Sequence, residues 1–230
     1  MRPPGIDILL TIVAAIGAVI VSVQPVTDPA SFSRGVLDPT LLALVIFLAA
    51  RSTTGVASLT ESGIMSLYMS YPLSRPGVFL VLLISRVLLP SALMLFVPLL
   101  TALITLKTTM LDELKRIALF YLAFLIQALF YGSLFLFIAL LVKSQAVSAI
   151  AGVTAYFIVV ALNTVLPLIG TARDIEFLVD FGSALSLPDI VYQNTRGAEP
   201  QLWQYALIPF GAVFLAIVAV LYFSRRFEPK

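Results

Sequence analysis

The chain has 230 residues, 60% hydrophobic and 11% charged, with a formal net charge of +2 and a mean hydropathy of +1.07. Soluble chains carry about a quarter charged residues, so this composition requires lipid as the main solvent. Cysteine and histidine are both absent, which excludes disulfides, thiolate or imidazole metal centres and histidine-held haem, and the small charge argues against nucleic acid as a partner.

Long unbroken apolar runs, rather than alternating ten-residue segments, exclude a membrane β-barrel and predict an all-α membrane protein. Taken in chain order, six segments are long enough to cross a bilayer. They are Ile6 to Val23, Leu37 to Ala50 with continuation through Arg51 towards Val56, Val78 to Leu106, Ile117 to Val142, Ala146 to Ile169, and Trp203 to Phe223. The first reads as a retained span rather than a cleaved signal peptide, because no small-x-small cleavage site follows it. No soluble domain, low-complexity tract or tandem repeat interrupts the pattern, so residues 1–230 read as a single transmembrane domain.

Lys and Arg set the orientation. With the N-terminus cytoplasmic, eight basic residues fall inside (Arg2, Arg51, Arg75, Arg86, Lys143, Arg225, Arg226, Lys230) and six outside (Arg34, Lys107, Lys115, Arg116, Arg173, Arg196). Both termini are therefore expected in the cytoplasm of a multi-pass protein of the cell membrane.

Two connections are too long for plain turns. The inner one, from about Arg51 to Gly77, predicts a short amphipathic helix over Ser58 to Tyr71. Ser58, Ser62, Ser66 and Ser70 form one row at intervals of four, with Ile64, Leu67, Tyr68 and Tyr71 opposite. The apolar row is expected to hold the helix against its own bundle. Tyr71-Pro72 ends it, and Pro76-Gly77 turns the chain into the third span. In the outer connection, Gly170 to Leu202, acids (Asp174, Glu176, Asp180, Asp189) interleave with Phe177, Phe181, Leu185 and Leu187. That pattern predicts short helices dipping into the interface, one of them ended by Pro188.

The order Glu61-x-Gly63, Leu67, then Pro72-Leu73-Ser74-Arg75 leading into a span resembles the signature of type-2 ATP-binding-cassette (ABC) exporter permeases. The chain departs from that pattern at Ile64-Met65, where the family usually has Thr-Leu, and in having Arg86 as the nearest cation to the start of the third span. The resemblance implies a six-helix permease working with a second permease copy, identical or related, and with a separate ABC ATPase that carries ATP and Mg. It also implies that the ATPase docks on the short cytoplasmic coupling helix at Ser58, Glu61, Ser62, Gly63, Ser66, Ser70, Pro72, Ser74 and Arg75. The chain has no phosphate-binding Gly-x-x-x-x-Gly-Lys-Ser/Thr loop, so no cofactor or enzymatic activity is expected of it. Glu61 is either a helix-capping acid near a positive dipole end or a contact to the ATPase.

Other polar residues within spans have a structural and a functional reading. Arg86 snorkels to the headgroups or forms a gating salt bridge. Pro90 and Pro98 are packing irregularities or a hinge. Gln127, Tyr131, Tyr156 and Asn163 bond across helices or line a cavity. An intramembrane enzyme is disfavoured, since no pair of acids lies inside a span. A transporter not driven by ATP, or a membrane assembly scaffold, is the alternative, although no Gly-rich inverted repeats favour a secondary transporter.

Overall fold

The computed structural model describes residues 29–70, 74–106 and 111–225. The expected first span, with Tyr71 and Pro72, lies outside the described residues. Among those described, the chain is helical apart from short turns, and no strand occurs. Helices suit this composition because they satisfy their own backbone hydrogen bonds where no water can. Five are long and apolar enough to cross a membrane: Arg34–Glu61, Arg75–Leu100, Lys115–Val142, Gln145–Arg173 and Leu202–Arg225. The chain has the architecture of a multi-pass membrane protein.

The first long helix runs from α1 (Pro29–Leu48) through a π-helical turn at Ala49–Thr54 into α2 (Gly55–Glu61). Ser62 and Gly63 break it, Gly63 at φ 74°, a conformation that glycine adopts without steric cost. The short helix α3 (Ile64–Ser70) follows. The expected single helix over 58–71 is thus corrected. Ser58 and Glu61 belong to the end of the spanning helix, and the serine row crosses a backbone break that its period of four did not reveal.

Ser74 caps the next helix, its hydroxyl accepting from the Gly77 N–H at 3.3 Å, with Pro76 in the first turn where its missing donor costs nothing. This helix consists of α4 (Arg75–Leu83), a second π turn at Ile84–Leu88 and α5 (Leu89–Leu106). After it come α6 (Leu111–Val142) and α7 (Gln145–Arg173), joined by two residues of which Lys143 takes φ 58°. Two short helices follow, α8 (Glu176–Ala184) and α9 (Leu187–Thr195), and then α10 (Leu202–Arg225). Helices in the 170–202 connection were expected. Pro188, however, does not end one: it sits in the first turn of α9, behind the N-cap Ser186.

The core gathers on α6, which packs against α1, both π turns, α7, α9 and α10. Ile117, Phe120, Phe124, Phe135 and Leu136 are its largest fully buried side chains. Small residues permit the closest approaches. A Cβ at Gly152 of α7 would lie 2.8 Å from Thr53 Cγ2 in the first π turn, and one at Gly132 of α6 would overlap Val87 in the second. The two π turns also pack on each other. By contrast α7 buries only Ser148, Gly152 and Gly170 and turns Ile150, Phe157 and Leu168 outward.

Candidate functional site

The sequence motif at 61–75 falls at one end of the bundle, beside the start of α7 and the end of α10. At Gln145, the first residue of α7, the neighbouring Ser144 hydroxyl makes no capping bond. The Glu61 carboxylate takes its place, accepting from the Gln145 N–H at 3.2 Å. An anion there complements the positive end of the helix dipole, which fits the capping reading of Glu61. Arg75 performs the inverse task. Its Nη1 donates to the Ser224 carbonyl at 3.3 Å, placing a cation at the negative end of α10. Arg75 is also the first residue of α4, so one residue ties α4 to α10.

Between these two tethers, α3 presents most of its surface outward. Met65 is its buried residue, at 0% exposure, whereas Leu67 is 62% exposed. The expectation that the row of Ile64, Leu67 and Tyr68 holds this helix against the bundle is therefore corrected: all three are exposed, and Met65 and the half-buried Met69 hold it instead. Leu67 lies about 180° from the Met65–Met69 edge at 100° per residue. Ser62, Ser66 and Ser70 are exposed, and each hydroxyl donates to a carbonyl of its own backbone three residues earlier, Ser66 to Gly63 at 2.5 Å and Ser70 to Leu67 at 2.7 Å. The face they form is small, polar and internally satisfied.

Arg86 lies in the second π turn, half-buried, with its guanidinium against Gly55: a Cβ at 55 would sit 3.4 Å from Nη1. Pro90 has no N–H to give the Arg86 carbonyl four residues back. The Ser52 hydroxyl of the first π turn donates to that carbonyl at 3.4 Å. Pro90 is thus part of a local helix irregularity that a neighbouring helix satisfies. Pro98 is buried inside α5, whose helix continues unbroken past it.

Of the remaining polar span residues, Gln127, Tyr131 and Tyr156 adjoin one another, Tyr131 hydrogen-bonding Gln127. Gln127, 2% exposed, accepts from the Leu187 N–H at 3.0 Å and donates to the Leu185 carbonyl at 3.3 Å. Asn163 donates to the Gly182 carbonyl at 3.0 Å. Both hold the backbone of the α8–α9 segment, as does Gln204, which donates to the Asp180 carbonyl at 3.5 Å. Tyr131 and Tyr156 do meet, edge to face at 5.2 Å between ring centroids, within a cluster that includes Phe135 and Phe157.

At this opposite end a cluster forms from two stretches, 31–38 and 189–196, whose cross-links span 155 to 165 positions. Arg34 bonds to Asp189 and, at 3.3 Å, to Asp38. The guanidinium of Arg34 stands 4.5 Å from the Tyr192 ring centroid and that of Arg196 5.3 Å. Arg196 donates to the Ser31 hydroxyl at 2.7 Å and the Tyr192 hydroxyl at 2.9 Å. Hydrogen bonding to Ser31, opposed by burial and aided by Arg196 and Arg34, lowers the Tyr192 phenol from its ordinary value. Among the described residues, no group of three or more acidic side chains is placed to hold a metal ion. Compared with known proteins, the chain matches no family model and no curated sequence.

Proposed function

We propose that this chain is the permease subunit of an ATP-driven ABC exporter, working in the cell membrane beside a second permease copy and a separate ATPase that docks on α3. The observation that carries this reading is the mounting of α3 between two tethers. A push on its exposed face acts on α2, which ends at Glu61 against the start of α7, and on α4, which begins at Arg75 against the end of α10. A lever needs an exposed handle joined to several spans, and α3 with its flanks offers one. The apolar outer face of α7 is free for lipid or for the second permease copy. In this reading the α3 end is cytoplasmic and six spans bring both termini to that side.

The test is association with an ATPase. The full chain is purified from its own cells in mild detergent, and ATP hydrolysis by what accompanies it is measured. Ser66→Arg, at an exposed position on the serine face, is expected to lower co-purified ATPase activity by about tenfold, the effect of one bulky charge in a close contact. Met65→Arg is expected instead to reduce the amount of folded permease, because it buries a charge. The reading fails if no ATPase accompanies the wild-type chain, or if Ser66→Arg leaves the associated activity unchanged. Cysteines placed singly at Ser66 and Thr195 should label from opposite faces of the membrane.

A further inference from the structure

A half-open cavity of about 280 Å³ lies where α2, α3 and α4 meet. Val78, Val81, Leu82 and Ser85 line it at i, i+3, i+4 and i+7 of one helix face, and Leu59 faces them from α2. Arg86 supplies the one charged side chain of the lining, and Tyr68 of α3 adds a phenol. The Ser85 hydroxyl is turned to its own backbone, donating to the Leu82 carbonyl at 3.5 Å. No acid belongs to the lining, so the wall as a whole is aliphatic with one positive group. Beside the opening Leu80, Val81 and Ile84 are 50 to 56% exposed, on a helix apolar enough to cross a membrane. What meets this opening in a bilayer is lipid.

Depth agrees with that occupant. The Arg86 backbone is eleven residues beyond Arg75, about 17 Å along the helix. Its guanidinium nevertheless reaches Gly55, six residues before Glu61 and so only about 9 Å from that end of α2. The side chain therefore runs back towards the membrane surface, as long cationic side chains do. Gly55 is what leaves room for it.

We infer that this cavity binds an anionic membrane phospholipid, with the phosphate at the Arg86 guanidinium and part of one acyl chain along Val78, Leu82 and Leu59. A guanidinium matches a phosphate through paired N–H donors. The volume is near the lower end of ligand pockets and holds a segment of one chain, not a whole lipid, the remainder lying in the bilayer. The assignment holds whether or not the chain works with an ATPase.

The experiment places the full chain in nanodiscs of phosphatidylcholine with a minor share of phosphatidylglycerol. Native mass spectrometry then measures the lipid retained. Wild type is expected to enrich phosphatidylglycerol about tenfold over its bulk share, the size of one charge-assisted contact. Arg86→Gln should return the ratio to bulk, and Arg225→Gln, an exposed cation outside the cavity, should leave it enriched. Val81→Trp crowds the mouth at an exposed position and should also lower the enrichment, which keeps the test decisive if Arg86→Gln does not fold. Excess glycerol phosphate, a headgroup without chains, should displace nothing. Absence of enrichment in wild type overturns the assignment. So do its persistence in Arg86→Gln or Val81→Trp, its equal loss in Arg225→Gln, and displacement by glycerol phosphate.

Discussion

At the Arg34 end, amide side chains from three long helices bond the backbone of α8 and its turn into α9, and two arginines close on Tyr192. At the Glu61 end, α3 has one fully buried side chain and two single bonds at its exposed flanks. Bonds shielded from water, as the part-buried and buried amide bonds are, exchange with it less readily than exposed ones, so the first end is the more firmly fixed and the second the more able to move. The difference teaches where a signal could enter such a bundle. It enters at the handle that is cheapest to displace and is transmitted through the terminal turns of the long helices.

The largest expected effect is at the fixed end. A Cβ at Gly182 of α8 would overlap the rigid Pro167 ring of α7. Gly182→Val should cost about 3 kcal/mol through overpacking, read as a lowered thermal midpoint in detergent. The matched change at the movable end, Ser66→Val on an exposed face, should leave the midpoint within about 0.5 kcal/mol of wild type. Equal losses would erase the contrast between the ends.

The next effect compares the two kinds of fastening directly. Gln127→Leu leaves the Leu187 N–H and the part-buried Leu185 carbonyl without their partner, at about 1 kcal/mol for each group stranded. Glu61→Ala removes a cap from Gln145 at an exposed position and should cost about 1 kcal/mol or less. Amide hydrogen exchange sharpens the comparison. Residues 176–195 should exchange far more slowly than 64–70 in wild type, and Gln127→Leu should accelerate 185–189 selectively. Similar protection of both segments would count against a movable α3.

Much of the fold was legible because a bilayer imposes long apolar runs, and α4 to α7 and α10 follow the runs in the sequence. The short helices near 176–195 were legible from acids interleaved with aromatic residues. The break at Ser62-Gly63 was not, because a serine period of four continues across it. Its one signal is Gly63, a residue that tolerates positive φ. Nor could the serine row identify the buried face of α3: on a seven-residue helix Leu67 and Met65 are equally apolar, and only packing decides between them. The roles of Glu61 and Arg75 depend on helix ends 84 and 149 residues away. No local pattern encodes such partners. The cavity beside Arg86 did leave a trace, the spacing of Val78, Val81, Leu82 and Ser85, but lipid-facing helices show the same period.

The smallest expected effect is at Tyr192, and it probes the charge cluster of the fixed end alone. Its phenol ionises below the ordinary 10.0, chiefly because Ser31 bonds to it, with Arg196 and Arg34 favouring the phenolate and burial opposing. A group whose folded value is depressed adds stability above its unfolded value, and that contribution disappears as pH falls through the folded one. At neutral pH the phenol is protonated in both states, so ionisation contributes nothing there. The gain belongs to the alkaline window leading up to and beyond 10.0. Wild type should therefore gain stability relative to Tyr192→Phe only as pH rises into that window. Ultraviolet difference spectra should show the earliest tyrosinate signal lost in Tyr192→Phe, and moved to higher pH in Ser31→Ala. Glu61→Ala, at the other end, should leave that onset where it was. If wild type and Tyr192→Phe begin to ionise at the same pH, then the two arginines only pack against the ring, and the fixed end owes its rigidity to the buried amides.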